Sequence, residues 1–215
     1  MTERPHLFDL TPDTLGELIA EWQMPAYRAD QVLEWVYQHH VTDPDRMTNL
    51  GKADRRTLAQ KLYFVRGRVL GHQLATDGTQ KLLIDWSLPP APQASPTPTD
   101  PPTPSINKPD TESLTVLGDN TSQTECVMIP ADDAKPHRTA CVSSQIGCPV
   151  GCRFCASGLG GLDGNLTAGQ IVQQVWQLGQ LDHVERISHV VFMGMGEPLA
   201  NFGEVTRAIQ TLTAS

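Results

Sequence analysis

Cys141-Val142-Ser143-Ser144-Gln145-Ile146-Gly147-Cys148-Pro149-Val150-Gly151-Cys152-Arg153-Phe154-Cys155 holds four of the chain's five cysteines. Three of them, Cys148, Cys152 and Cys155, have the spacing C-x3-C-x2-C. Two glycines and a proline let the backbone turn tightly enough for three sulfurs to converge on one object. Three thiolates make an incomplete cage. A 4Fe–4S cluster held by them keeps one iron without a protein ligand, where a small molecule can bind and receive an electron. Structural zinc is the competing use of close cysteines, but it usually takes two separated CxxC-like pairs, and there is no second pair. Disulfides fit poorly, because five is an odd number and Met1-Thr2-Glu3-Arg4 opens no apolar signal segment. The chain therefore reads as cytoplasmic, with reduced thiols. No apolar run approaches the ~18 residues of a membrane span.

Around this stretch the pattern alternates between strand and helix. Glu125 to Pro130 reads as a strand, residues 132–137 as a turn, and Thr139 to Ser143 as the next strand. Beyond the cysteines, Thr167 caps a helix to about Leu181, with Ile171, Val172, Val175, Trp176 and Leu178 apolar. Ile187 to Met193 is nearly continuous apolar sequence, as expected of a buried parallel strand. Gly194-Met195-Gly196-Glu197-Pro198 follows, then a helix from about Phe202 containing Val205, Ala208, Ile209 and Leu212. Strand–loop–helix repeated twice is the start of a βα barrel with functional loops at the strands' C-terminal ends. Only about two such units fit, and unpaired parallel edges are costly, so the sequence reads as truncated or a fragment.

Upstream, residues 1–64 read as helical. Thr11-Pro12 starts a helix with Leu15, Leu18, Ile19 and Trp22 on one face. A second helix runs from about Ala26 to about His39, and a third from about Leu50 to Tyr63. His39 and His40 read as end-of-helix residues favoured by the dipole rather than as ligands. Residues 67–87 form two alternating runs around Asp77-Gly78, a hairpin signal. Nine prolines between Pro89 and Pro109 make a segment that cannot supply regular hydrogen bonds, expected to be a disordered insertion between two strands of one sheet. The expected division is thus a helical domain over 1–64, a hairpin over 65–87, an insertion over 88–122 and the barrel start over 123–215.

The net charge of −8 does not advertise a nucleic-acid binder. Yet Arg46, Lys52, Arg55, Arg56, Lys61, Arg66 and Arg68 stand against Asp54 alone between positions 46 and 68. This is a solvated helix face or a phosphate-contacting one. Charge does not decide between them.

The cysteine spacing, with Phe154 before the last cysteine, resembles the radical S-adenosylmethionine superfamily. Cys141-Val142-Ser143-Ser144-Gln145-Ile146-Gly147-Cys148, Gly164-Asn165-Leu166-Thr167 and Gly194-Met195-Gly196-Glu197-Pro198-Leu199 together resemble the RlmN/Cfr family. The resemblance covers most of the chain outside residues 88–118. It implies an α/β fold: a small N-terminal helical, RNA-binding domain and the first part of a (βα)6 partial barrel. It implies methylation of adenine C2 in 23S rRNA and tRNA, or of C8 in the Cfr branch. The cofactors it implies are a 4Fe–4S cluster on Cys148, Cys152 and Cys155, and S-adenosyl-L-methionine held by Gly196 and Glu197. Glu125 matches the proton-abstracting base, and Cys141 the cysteine that resolves a covalent RNA adduct by forming a disulfide. The alternatives to these roles are a buried structural thiol for Cys141 and a solvated strand-edge carboxylate for Glu125. Cys126 matches no role. The family's methyl-carrying cysteine has no counterpart here, so the chain alone is expected not to methylate RNA. An electron donor such as flavodoxin, a monomeric state and the absence of a membrane partner are further expectations. The competing readings are a non-catalytic iron–sulfur or zinc RNA-binding remnant and another radical enzyme, such as an activase of a protein.

Overall fold

A computed structural model describes residues 4–87, 122–130, 137–184 and 186–213. The expected proline-rich insertion, except Ser122, and the turn over 132–137, except His137, lie outside the described residues. Three helices come first: α1 (Pro12–Glu21), α2 (Arg28–Tyr37) and α3 (Lys52–Lys61). Thr11 caps α1 as the sequence suggests, accepting from Thr14 N–H in a reciprocal capping box. Helix α2 ends at Tyr37, earlier than the periodicity implies. His40 adopts a left-handed φ of 55° and the chain reverses, with Val41 N–H donating to Trp35 O. A turn of 3-10 helix at Leu7–Asp9 precedes them and buries Leu7 and Phe8 completely, a core contribution that the periodicity of residues 11–63 does not announce.

The central sheet follows. Strands β1 (Arg68–Leu74), β2 (Gln80–Asp85), β3 (Gln123–Ile129) and β4 (Arg138–Cys141) form an antiparallel meander. The hairpin forms around Asp77-Gly78, where Gly78 takes φ 84° and the Asp77 carboxylate accepts from Thr79 N–H. After β4 come two short strands, β5 (Gln145–Gly147) and β6 (Leu162–Asn165), paired in a separate two-stranded sheet that brackets the cysteine loop. Helix α4 (Ala168–Leu178) then crosses over to β7 (Ile187–Val191), which pairs parallel with β4. A 3-10 turn at Pro198–Asn201 leads into α5 (Phe202–Thr213). The fold is mixed α/β, with one βαβ crossover, β4–α4–β7, at one edge of the described sheet. One expectation is corrected: β7 is not buried on both faces. It is the edge strand of the described sheet, so Ser188 and His189 are exposed.

One continuous core joins the helical segment to the sheet. Phe8 packs against Tyr37 and Trp176, and Trp176 Nε1 donates to Val36 O. The Asp9 carboxylate accepts from Gly169 N–H and Thr167 Oγ1, so a residue 160 positions away caps the start of α4. Burial pushes the Asp9 carboxyl up, but its contacts with His6 and the Gly169 N–H outweigh that and leave it below the usual carboxylate range. No helix among the described residues is long and apolar enough to cross a membrane.

Candidate active site

Strand alternation sorts the candidate residues onto two faces. Along β3, Thr124, Cys126 and Met128 are buried, while Glu125 and Val127 are only partly covered. The same alternation places Leu82 and Ile84 of β2 with the buried set and Lys81 and Leu83 opposite. Val127 pairs with Cys141, so Glu125, Val127 and Cys141 share the open face. Cys126 lies on the other face, 1 % exposed in the core. Burial pushes its thiol up to about 12, which makes it inert at neutral pH. Burial also pushes the half-covered Cys141 thiol up, partly offset by the Met193 backbone. Cys141 therefore stays a thiol at neutral pH until something draws its proton away.

Glu125 has a partner that the sequence reading missed. Lys81 Nζ lies 2.9 Å from its Oε1. The two are diagonal neighbours, since Lys81 pairs with Val127, and a long side chain spans that distance. Both are more than a third exposed, so the pair orients the carboxylate more than it stabilises the fold. The sequence shows only a lysine at the head of the apolar run Leu82-Leu83-Ile84; the register across 44 residues is not visible in it.

The polar triplet Ser143-Ser144-Gln145 leaves the end of β4 fully buried and ties the site together. Ser143 Oγ donates to Glu125 O (2.6 Å) and accepts from Met195 N–H (2.9 Å). Gln174 of α4 clamps the Ser143 backbone, accepting from its N–H and donating to its C=O. Ser144 N–H donates to Met195 O (2.9 Å). Gln145 Oε1 accepts from Glu197 N–H (2.8 Å), and its Nε2 donates to Asn165 Oδ1 (2.8 Å). Asn201 Nδ2 donates to both Ser144 O and Leu166 O. The loop after β7 can come this close because it is glycine. A Cβ on Gly194 would fall 2.8 Å from Ser143 Oγ, and one on Gly196, whose φ is 99°, would fall 2.6 Å from Gln145 Cβ. The Glu197 carboxylate accepts from Leu199 N–H at the start of the following turn. None of these ties was foreseen, although an uncharged polar triplet between Val142 and Ile146 was a hint.

The cysteine loop springs from this brace. It closes at its base where Cys148 N–H donates to Gly161 O (2.8 Å), with Gly147, Gly151 and Gly161 all left-handed. Gly158 packs on the Gly151 backbone too closely for a side chain to fit easily. All five cysteines are free; Cys148 and Cys155 are partly covered and Cys152 is exposed. Among the described residues no three Cys, His, Asp or Glu side chains are gathered closely enough to hold a metal ion. The donor set nonetheless suits an iron–sulfur cluster: three thiols on one closed loop, none locked in a disulfide or sunk in the core. Phe154 and Leu159 of this loop are exposed apolar side chains, Phe154 at 94 %, as is Met193 after β7. An open groove lined by Asn165, Thr167, Asn201, Phe202 and Glu204 lies to one side, and Glu204 there already accepts from Ala168 N–H at the start of α4.

The basic run splits on inspection. Arg55 donates to Leu50 O and Asp45 O, so it holds the fold, as does Arg28, which reaches Asp54 and Asn49 O. Arg46, Lys52, Arg56, Lys61 and Arg68 are exposed.

Helices on one face of a sheet, an open face bearing Glu125 and Cys141, and cysteine and glycine loops braced at its strand ends define the class: the N-terminal part of a radical S-adenosylmethionine enzyme fold. A radical SAM methyltransferase crystal structure from Sphaerobacter thermophilus superposes with TM-score 0.75 and 32 % identity, over 96 % of this chain and 51 % of that one. Residues 5–64 match the ribosomal RNA large subunit methyltransferase N-terminal domain. The dual-specificity RNA methyltransferase RlmN of Dichelobacter nodosus is 36 % identical over 98 % of this chain and 50 % of its own length. RlmN of Xanthomonas campestris is 36 % identical over 98 % of this chain and 44 % of its own. The chain is thus similar to the N-terminal part of RlmN methyltransferases. It spans about half the length of the curated relatives it matches.

Proposed function

We propose that this chain carries the cluster loop, the base and the resolving thiol of a radical S-adenosylmethionine methyltransferase acting on adenine C2 in 23S rRNA and tRNA. The observation that carries the reading is the common open face of Glu125 and Cys141, next to the braced cysteine and glycine loops.

Cys148, Cys152 and Cys155 would hold a 4Fe–4S cluster, which when bound supplies the electron that cleaves S-adenosylmethionine reductively. The Glu197 carboxylate, presented by the left-handed Gly196, would accept from the ammonium of that cofactor. Glu125, oriented by Lys81, would take the proton that leaves the adenine ring. Cys141 would release the product by forming a disulfide with the family's methyl-carrying cysteine, which has no counterpart in this sequence. As the S–S bond forms, the bond between that sulfur and the RNA-bound carbon breaks, and the proton lost by the Cys141 thiol, whose pKa burial raises, balances the one the product's methyl carbon takes up. Residues 1–64 would serve as an accessory domain that meets RNA phosphates through Lys52, Arg56 and the other exposed cations. An electron donor such as flavodoxin, a monomeric state and a cytoplasmic setting complete the proposal.

Anaerobic reconstitution with iron and sulfide tests it. Broad absorbance near ~400 nm, lost in Cys148→Ala, is the expected result for an iron–sulfur site. Stoichiometric zinc without that absorbance would overturn it.

A further inference from the structure

We propose that Gln145 is a positioning residue for the Gly196-Glu197 turn, holding it in register with the cysteine loop through a paired amide. This rests on the reading of that turn as the site for the cofactor's ammonium group.

Gln145 is 0 % exposed and each end of its amide has one defined partner. Oε1 accepts from the N–H of Glu197, and Nε2 donates to Asn165 Oδ1. Its own backbone N–H donates to Met195 O and it pairs with Asn165 in the β5–β6 ladder. One residue therefore touches the loop after β7 and both strands that bracket the cysteines. The Glu197 N–H decides which way the Gln145 amide faces, because a main-chain N–H can only donate; Asn165, itself an amide, then presents its oxygen to the Gln145 NH2. Gly196 lies against the Gln145 Cβ and backbone N, so the turn cannot slide along the strand. The Glu197 carboxylate has freedom of its own, because it bonds only to Leu199 N–H among the described residues. Its backbone is what Gln145 holds. A carboxylate that must meet a small ammonium ion gains from a fixed backbone, since ordering it in advance removes an entropy cost from binding.

The test uses the chain reconstituted anaerobically, with Gln145→Met, which keeps volume and burial, and Asn165→Ala, an exposed position whose loss removes the partner of the amide's NH2 end and leaves the bond to Glu197 in place. Three quantities are read: bound iron, amide hydrogen exchange at Glu197, and S-adenosylmethionine affinity by equilibrium dialysis. Iron content should stay at the wild-type level in both variants. Exchange at Glu197 should rise about tenfold in Gln145→Met, the effect of one lost buried hydrogen bond. S-adenosylmethionine should bind about tenfold more weakly there, and about threefold more weakly in Asn165→Ala. Unchanged exchange in both variants overturns the tie. Faster exchange with unchanged affinity overturns the positioning role. Failure of the iron-loaded wild-type chain to bind S-adenosylmethionine, with Glu197 exchange still responding to Gln145→Met, sinks the cofactor assignment and leaves a purely structural brace.

Discussion

Replacing Ser143 by alanine isolates the hydroxyl that joins Glu125 to the glycine loop. The side chain is 0 % exposed, and its Oγ makes two bonds, to Glu125 O at 2.6 Å and from Met195 N–H at 2.9 Å. The main chain of Ser143 stays clamped by Gln174 in the variant, so strand β4 has no reason to move. What is lost is two hydrogen bonds, each worth about 1 kcal/mol net. Glu125 and Met195 are only partly buried, so water can reach some of the freed groups and the full penalty for orphaned polar groups does not apply. The sum is about 2 kcal/mol. With a urea dependence of about 2 kcal/mol per molar, the unfolding midpoint should fall by about 1 M with no change in slope. The continuous core makes a single transition the expectation, and far-UV circular dichroism follows it. A midpoint within about 0.2 M of wild type would refute the claim that this hydroxyl binds the two elements.

Gly169→Ala sets two effects against each other. Helix propensity alone favours alanine by about 1 kcal/mol, but a Cβ there would sit 2.6–2.7 Å from the Asp9 carboxylate and backbone nitrogen. The variant should be destabilised by about 1–3 kcal/mol in the same urea titration, and a stabilised variant would refute the close approach. Lys81→Met should cost less than about 1 kcal/mol, because its pair with Glu125 is largely exposed; a loss beyond about 2 kcal/mol would mean that the pair supports the fold rather than the carboxylate. The Cys126 thiol titrates at about 12 in the fold against 9.0 ordinarily, so the unfolded chain releases a proton that the folded chain keeps. Stability must then fall as pH rises past 9, by about 1.4 kcal/mol between pH 8 and 10. Cys126→Ala should remove most of that slope, and an equally steep slope in the variant would assign it elsewhere.

The parts of the fold legible in the sequence were those with local causes. The caps at Thr11 and Thr167 and the turn at Asp77-Gly78 are decided within a few residues, and all three form. The strand–helix–strand order around the cysteines was legible because helix and strand periods differ. What stayed hidden depends on neighbours distant in sequence. Leu7 and Phe8 become core only because α4 and the end of α3 close over them. The apolar run of β7 looks like a strand covered on both faces, but its burial depends on a second neighbouring strand, which the described sheet does not have. Lys81 meets Glu125, and Asn201 meets Ser144, through register and loop packing that no pattern in the intervening residues encodes. Cysteine spacing pointed to a ligand set; it carried no information about what holds the loop.

Parity along β3 and β4 explains why cysteines with the same side chain have such different chemistry. Cys126 and Cys141 lie on neighbouring strands, yet the pairing of Val127 with Cys141 sends them to opposite faces. On the core side the Cys126 thiol lies across from Leu82 within the apolar cluster, and burial pushes its pKa up. On the open side the Cys141 thiol keeps some access to water and shares its face with the Glu125 carboxylate. A one-residue slip of β3 against β4 would reverse both assignments: it would bury Glu125 in the apolar core and bring Cys126 into the site. Ser143 guards against that slip, because its hydroxyl bonds to the carbonyl of Glu125 itself rather than to any neighbour along the strand. The brace between Glu125, Ser143 and Met195 thus adds to the β3–β4 ladder and the buried-face pattern in holding this register.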